Sequence, residues 1–322
     1  AGSYLLRIRA PGMHEVSYPV FIRRLEHWTG IPPGGTEPLP IVLPRLGELG
    51  PDEVYVPSGW FWSGGDPLAS NSLPLARFWL EGFVIRRFPV TIEDYLEFLN
   101  DLVAQGREED VLQRLPPLLS WEEARGQEDL REQRFVRDEQ GRILLARGEL
   151  RWPVTLVNWY DACAYAEWRS WREGLPWRLP SELEHEKAAR GVDRRVFPWG
   201  RFLDPSFCHM RDSHSGTGRA LKAVVDAYPV DESPYGARGM AGNAHEWCLD
   251  AYQAEGPESI EGRPVVSHGE GIQGPGAGGA HRVYRGGSWR APESLCRVAY
   301  RDAPPAIYRN PTVSFRLARS LR

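Results

Sequence analysis

Lysine is nearly absent from this chain. Of its 39 basic residues, all but Lys187 and Lys222 are arginine. The 43 acidic residues outnumber them, and the net charge of −4 lacks the basic excess of nucleic-acid-binding proteins. We therefore expect no nucleic-acid partner.

Long apolar runs are absent as well. No stretch approaches the roughly 20 apolar residues that a membrane-spanning helix needs, so the sequence predicts no membrane span. The chain begins without a methionine, inside a strand-like pattern. This start predicts a fragment of a longer protein.

Closely spaced cysteine pairs are the third absence. The four cysteines, Cys163, Cys208, Cys248 and Cys296, form no CxxC motif. Widely spaced cysteines of this kind are typical of buried free thiols in a reducing compartment. The pattern predicts a cytoplasmic protein.

Glycine, proline and tryptophan are plentiful instead. The chain has 33 Gly, 28 Pro and 13 Trp, which predicts a loop-rich fold with an aromatic core. Residues 1–50 read as a small β unit, because "SYLLRIRA" and "VSYPVFI" alternate as strands around the turn "APG" and a proline-rich linker follows. Residues 51–322 form the main domain.

Three segments of the main domain combine helical spacing with an N-terminal cap. Thr91 precedes "IEDYLEFLNDL", and Asn158 precedes "WYDACAYAEW". Ser181 and Glu184 form a capping box at the start of the third segment, which Gly191 ends. These patterns predict three helices.

The remaining segments predict short strands and loops. Residues 105–150 are rich in charge and predict a peripheral insertion, and residues 269–280 predict a mobile glycine-rich loop. In the closing "TVSFRLARS", Val313, Phe315 and Leu317 alternate as the inward face of a strand. Few helices, short strands and many loops indicate the α+β class.

Seven motifs resemble those of formylglycine-generating enzyme-like, or sulfatase-modifying factor, domains. In order they are "FPVTIEDYLEFLN", "WPVTLVNWYDACAYAEW", "RLPSELEHEKAARG", "FPWG", "MAGNAHEWCLD", "YRGGSW" and "VSFRLAR". The resemblance implies a C-type-lectin-like fold, with two helices flanking a small twisted antiparallel sheet. The stretch "FLDPSFCHMRDSH" is similar to versions attached to bacterial Ser/Thr kinases, and residues 1–50 resemble a PEGA-type β domain.

The enzymes of this family oxidise a substrate cysteine with two cysteines that bind Cu(I). A soft ion such as Cu(I) needs two thiolates. The resemblance places that pair five residues apart after the RGGS motif, where this chain has Ala291 and Cys296. We expect no catalytic residue and no enzymatic activity.

The stretch "GNAHEWCLD" corresponds to a calcium site of the family. The resemblance implies a carboxylate ligand at Glu246 and carbonyl ligands at Gly242 and Ala244. Gly239 stands where the family has an asparagine ligand, which predicts a weakened site with calcium as the one cofactor to consider.

A structural role is the alternative for the same stretch. Asn243 and Glu246 are expected to hydrogen-bond loop backbone, with Trp247, Arg285 and Ser288 as framework residues. His185 and His245 stand where the family has tryptophan. They come from separate motifs without a third ligand, so we expect structural histidines rather than a metal pair.

The segment after "RGGSW" predicts a recognition surface. Lectin-like folds hold long loops on a stable frame, and Tyr, Trp and Arg are frequent interface residues. The ligand would be a protein or a small molecule of unknown identity. The predicted contact residues are Trp289, Arg290, Ser294, Tyr300, Asp302, Ile307, Tyr308, Asn310 and Thr312.

A sharper hypothesis follows from a second resemblance, to the variable proteins of diversity-generating retroelements. These use the same fold and diversify this C-terminal segment by adenine mutagenesis, which cannot turn an AAC codon into Trp, Glu, Lys or Gln. None of these four types occurs from Cys296 onward. The alternatives are a regulatory appendage of a bacterial Ser/Thr kinase and, disfavoured by Ala291, a copper oxidase.

Overall fold

The secondary structure consists of short strands and few helices. The structure, a computed structural model, describes residues 2–117, 134–213, 222–265 and 280–321. The helices are α1 (Ile92–Ala104), α2 (Glu108–Arg114), α3 (Trp159–Glu173), α4 (Glu182–Arg190) and α5 (Glu293–Cys296). The strands are β1 (Gly2–Ile8), β2 (Val16–Ile22), β3 (Glu53–Val56), β4 (Gly59–Ser63), β5 (Ala76–Leu80), β6 (Phe83–Arg86), β7 (Arg134–Arg137), β8 (Ile143–Arg147), β9 (His245–Ala251), β10 (Ser259–Ile260), β11 (Arg263–Pro264), β12 (Arg282–Arg285), β13 (Arg301–Asp302), β14 (Val313–Phe315) and β15 (Ala318–Ser320).

The three predicted helices begin at their predicted caps. Thr91, Asn158 and Ser181 each accept a hydrogen bond from the backbone N–H three residues later, and the acidic side chain at that position accepts one from the backbone N–H of the cap residue. Helices α1 and α3 pack through aromatic rings, with the centroids of Tyr95 and Tyr165 5.9 Å apart. These three helix predictions are confirmed.

A four-stranded sheet in the order β13-β12-β9-β14 lies at the centre of the domain. Its pairs are antiparallel, except that β14 runs parallel to β9. Two indole hydrogen bonds fix the start of α3 against this sheet: Trp159 donates to the Cys248 carbonyl at 2.9 Å, and Trp247 donates to the Val157 carbonyl at 3.1 Å. The central sheet is thus mixed where the sequence predicted an antiparallel one.

The C-terminal strand is divided between two sheets. Val313, Phe315 and Leu317 are all buried, as predicted. β14 belongs to the central sheet, while β15 joins a second sheet in the order β15-β6-β3. Arg316 lies at the junction and is also fully buried, which the alternating pattern did not predict.

The N-terminal residues form a two-stranded antiparallel hairpin, β1–β2. Val16, Tyr18 and Val20 of β2 are buried, and Val16 packs against Tyr55 and Val84 of the main domain. The alternation in β1 creates no buried face, since Tyr4 remains half exposed. A domain boundary near residue 50 and the PEGA-type identity of this unit stay predictions.

The predicted insertion at residues 105–150 contains α2 and the hairpin β7–β8 in its described part. Val111, Phe135 and Ile143 from these elements belong to the main core. The Asn100 side chain donates to the Ile143 carbonyl at 2.9 Å and accepts from the Ile143 N–H at 2.8 Å. The described part is therefore packed into the core. Residues 118–133 lie outside the described residues, and so does the predicted glycine-rich loop at 269–279.

Candidate functional site

A buried ion pair occupies the centre of the motif around Glu246. The Arg316 guanidinium donates to both Glu246 carboxylate oxygens, at 2.5 and 2.6 Å. His185 Nε2–H donates to the same carboxylate at 2.9 Å. Burial would raise the pKa of Glu246, but Arg316 and then His185 hold it below its ordinary value.

This geometry does not fit a calcium ion coordinated by Glu246. Both of its oxygens already accept hydrogen bonds, and a guanidinium stands where a divalent cation would have to approach. The Gly242 carbonyl accepts from the Ala244 N–H at 2.9 Å. We therefore do not assign Glu246 as a calcium ligand. The predicted carbonyl ligands, Gly242 and Ala244, would then have to bind calcium without this carboxylate, and two carbonyls are far fewer than the six to eight oxygens that calcium takes.

A second buried network links α4 to the central sheet. Glu182 accepts two hydrogen bonds from Arg301, at 2.9 and 3.0 Å, and one from Arg285 at 3.2 Å. Glu186, one turn further along α4, lies 3.1 Å from the Arg285 guanidinium. Residues three and four apart share a helix face, so Glu182, His185 and Glu186 all point into the core.

Asn243 connects three loops through its backbone and side chain. Its side chain exchanges two hydrogen bonds with the Ala223 backbone, at 3.0 and 2.9 Å. Its N–H donates to the His209 carbonyl, and its carbonyl accepts from the Trp289 N–H. A φ of 70° places it in the left-handed region, which Asn tolerates better than most residues. Trp247 and Ser288 are also buried.

The prediction that Glu246 hydrogen-bonds loop backbone was wrong. Glu246 contacts the side chains of Arg316 and His185 rather than loop backbone. His245 is likewise internally satisfied: its Nδ1 lies 2.6 Å from the Gly286 carbonyl, and its ring stacks on Tyr284. Burial lowers the pKa of His245 to about 4, so the ring is neutral at physiological pH.

The residues at the family's copper position do not fit a Cu(I) ion. Ala291 has no sulfur, and Cys296 is fully buried. The thiol that contacts Cys296 comes from Cys208 in another loop, and this contact followed by burial raises the pKa of Cys208. Both sulfurs lie in a sealed apolar cluster with Phe197 and Met210. In the described part of the chain, both thiols are fully buried.

The predicted recognition residues divide by exposure. Trp289 and Tyr300 are buried, which corrects the expectation that they contact a ligand directly. Tyr300 lies just before β13, and its hydroxyl is 3.5 Å from the hydroxyl of Tyr284 in β12. Arg290, Ile307 and Tyr308 are exposed, and Ser294, Asp302, Asn310 and Thr312 are partly exposed.

Ile307 and Tyr308 form an exposed apolar tip, with 55% and 37% of their surfaces accessible. The residue before them, Ala306, is fully buried and anchors the tip. Its N–H donates to the Ala280 carbonyl, and its carbonyl accepts from the Trp159 N–H, both at 3.0 Å.

The other side of the tip is held by polar side chains. Arg309 forms a 2.8 Å ion pair with buried Asp161 and donates to the Leu156 carbonyl at 2.9 Å. The Asn310 amide donates to the Tyr308 hydroxyl at 2.6 Å, and its oxygen accepts from the Thr312 N–H. The tip is thus fixed before any ligand arrives.

The sequence reasoning missed Arg316 and Cys208. No local signal marked Arg316, because the alternation that buries Phe315 and Leu317 places the residue between them on the opposite face. For Cys208 no spacing could have helped, since it meets Cys296 only through the fold.

No helix in the described ranges has the length and apolar character needed to cross a membrane.

Comparison with known proteins places the chain in a family. The family model of the sulfatase-modifying factor enzyme 1-like domain matches residues 43–321. The Serine/threonine-protein kinase pkn1 of Chlamydia caviae is 31% identical over 272 residues, which cover 84% of this chain but only 38% of that kinase. The inactive C-alpha-formylglycine-generating enzyme 2 of Bos taurus is 30% identical over 228 residues, covering 62% of this chain and 71% of that protein.

Comparison with solved structures supports the fold. PvdO from Pseudomonas aeruginosa has a TM-score of 0.58 at 22% identity, covering 84% of this chain and 94% of that one. The predicted α+β, C-type-lectin-like fold of the formylglycine-generating enzyme type is confirmed. The chain belongs to the sulfatase-modifying factor enzyme 1-like family.

Proposed function

We propose that this domain is a non-catalytic recognition module whose contact surface is the tip formed by Ile307 and Tyr308. The observation that carries the proposal is an exposed aromatic and aliphatic pair on a backbone fixed on both sides. A preorganised apolar pair binds with little loss of conformational entropy. Tyr is also among the residues enriched at binding hot spots.

The buried thiols of Cys208 and Cys296 support the part of the proposal that the domain is non-catalytic. The chemistry of the family's enzymes needs two accessible thiolates, whereas Ala291 offers none and Cys296 is buried. Cys208 and Cys296 contact each other, and the raised pKa of Cys208 keeps its sulfur in the thiol form. Their packing with Met210 indicates a core role.

A regulatory appendage of a Ser/Thr kinase is the second candidate. It is favoured by the match to pkn1, in which this domain corresponds to 38% of the kinase. In that arrangement the tip would receive the signal, and the kinase would lie elsewhere in the polypeptide. Recognition by the tip is common to both candidates.

Diversification of the tip by a retroelement stays a prediction. Burial limits the positions that diversification could change, because Val313, Phe315 and Tyr300 are buried and tolerate little variation. Exposed positions such as Ile307 and Tyr308 are free to vary. A template repeat beside a reverse transcriptase gene, with mismatches confined to the exposed positions, would support it.

Site-specific photo-crosslinking tests the recognition surface. A photoreactive phenylalanine analogue replaces Tyr308 in the full-length protein in its native cells, and crosslinked species are identified by mass spectrometry. The matched control carries the analogue at Phe202, which is also exposed but distant from the C-terminal segment in sequence. We expect one defined adduct from Tyr308 that Ile307→Ala weakens.

Two outcomes would contradict the proposal. Equal adducts from Tyr308 and Phe202 would show nonspecific contact. An adduct that persists unchanged in the Ile307→Ala variant would show that the tip does not contribute to binding. The melting temperature of each variant serves as the check on folding.

A further inference from the structure

A cavity of about 230 Å³ lies between the N-terminal hairpin and the main domain. None of its lining residues belongs to the recognition segment 289–312. Two aromatic pairs line the cavity. Tyr18 and Trp28 meet edge to face, with centroids 5.7 Å apart. Trp60 and Trp79 form a second edge-to-face pair at 5.8 Å. Fixed aromatic walls of this kind suit a planar ligand.

Lys187 of α4 lines the same cavity from inside the protein. Its side chain is about 1% exposed, and its ammonium donates to the carbonyls of Pro57 and Gly59, at 2.7 and 3.1 Å. Among the described residues, no carboxylate lies within ion-pair distance of Lys187 Nζ. An ammonium can donate three hydrogen bonds, so one donor position is without a protein partner. Burial lowers the pKa of Lys187 to about 7, against weaker opposing effects of the Glu81 and Glu184 carboxylates.

Two guanidinium groups lie against the tryptophans of this cavity. Arg77 stacks over Trp60 at 4.6 Å, and Arg23 lies 5.6 Å from the Trp62 ring. Arg23 is neutralised by Glu26, whereas Arg77 has no carboxylate partner in the described part of the chain. Desolvation, followed by repulsion from Arg23, lowers the pKa of Arg77.

The charges are therefore unbalanced. The lining carries three cationic side chains, Arg23, Arg77 and Lys187, against the single carboxylate of Glu26. Two cations, one of them buried, remain without a counter-ion. The Tyr18 hydroxyl adds a donor without a hydrogen-bond partner in the described structure. An anion in the cavity would satisfy these groups.

We propose that this cavity binds a small planar organic acid, an aromatic or heteroaromatic carboxylate. The tryptophan walls contact its ring, and the carboxylate accepts hydrogen bonds from Lys187 or Arg77. Because the cavity is built partly from β2, an occupied site also fastens the hairpin to the main domain. This site is independent of the recognition tip proposed above.

Calorimetric titration of the full chain tests the proposal with three probe acids and their neutral amides. The acids are benzoate, 2-naphthoate and indole-3-acetate. We expect at least one acid to bind with 1:1 stoichiometry and its amide to bind at least about tenfold more weakly. Lys187→Met and Arg77→Gln are each expected to weaken the acid by about tenfold or more. Arg201→Gln, an exposed arginine outside the cavity, is the matched control and should leave binding unchanged.

Two results would contradict the proposal. Equal binding of acid and amide would show that the ammonium of Lys187 only ties the backbone at Pro57 and Gly59. Absence of binding by all three acids at millimolar concentration would overturn the proposal. Arg77→Gln changes an exposed side chain, so a loss of binding with an unchanged melting temperature cannot be attributed to misfolding.

Discussion

Removing the Glu246 carboxylate is expected to destabilise this protein more than removing any surface carboxylate. Glu246 is buried with Arg316 and His185, and Arg316 donates to both of its oxygens. In Glu246→Ala, the Arg316 guanidinium would remain inside the protein without a counter-charge. It would keep only its hydrogen bonds to the carbonyls of Arg86, Arg87 and Arg238.

The size of the effect follows from this loss. Breaking a buried ion pair from one side costs about 3–5 kcal/mol, because the remaining charge keeps its desolvation penalty. Domains are stable by roughly 5–15 kcal/mol in total, so Glu246→Ala should lose a large share of the free energy of unfolding. The corresponding drop in melting temperature is on the order of 10 °C.

Urea unfolding followed by tryptophan fluorescence and circular dichroism measures this change. Asp212→Ala is the control, since Asp212 forms an exposed ion pair with Arg211 and should matter little. The double variant Glu246→Leu with Arg316→Met removes both charges and should recover much of the lost stability. A Glu246→Ala protein as stable as the wild type would refute the reasoning.

Three further predictions concern single sites. The first compares the wild type with Lys187→Met. As the pH rises from roughly 7 to 9, the free energy of unfolding of the wild type should increase relative to that of the variant, by at most about 1.4 kcal/mol per pH unit. The sign follows because burial lowers the pKa of Lys187 from 10.5 to about 7, so that between these values the unfolded chain binds the proton and the folded chain does not. Urea unfolding at several pH values measures the change, and parallel plots of unfolding free energy against pH for the two proteins would contradict it. Asn243→Ala should cost ~1–3 kcal/mol by leaving the Ala223 backbone groups unpaired, whereas an unchanged urea midpoint would show that water replaces the amide. Added calcium should leave the melting temperature unchanged, because Glu246 is already paired; a rise of several degrees that chelation reverses would restore the calcium site.

Local signals in the sequence predicted the parts of the fold that depend on local chemistry. A cap such as Thr91 or Ser181 starts a helix through hydrogen bonds to residues three positions away, so its effect is readable in a short window. The burial of Val313 and Phe315 follows from a period of two. These features need no knowledge of distant residues.

The features that the sequence did not predict all depend on distant contacts. Arg316, just after β14, is buried because its ion-pair partner Glu246, far away in the chain, lies on the neighbouring strand β9. Tyr300, just before β13, is buried next to Tyr284 of β12, a contact that the sequence around Tyr300 does not reveal. Cys208 and Cys296 meet only when the loop that holds Cys208 packs against α5.

The central claim is that this domain recognises a ligand without performing the oxidation that the enzymes of its family perform. The most direct measurement incubates the copper-loaded, full-length protein with a cysteine-containing sulfatase peptide under air and follows the peptide by mass spectrometry. An active formylglycine-generating enzyme run in parallel shows that the assay works. Because Ala291 supplies no thiolate and Cys296 is buried, we predict a peptide of unchanged mass. A time-dependent mass loss corresponding to conversion of the peptide thiol to an aldehyde would contradict the account.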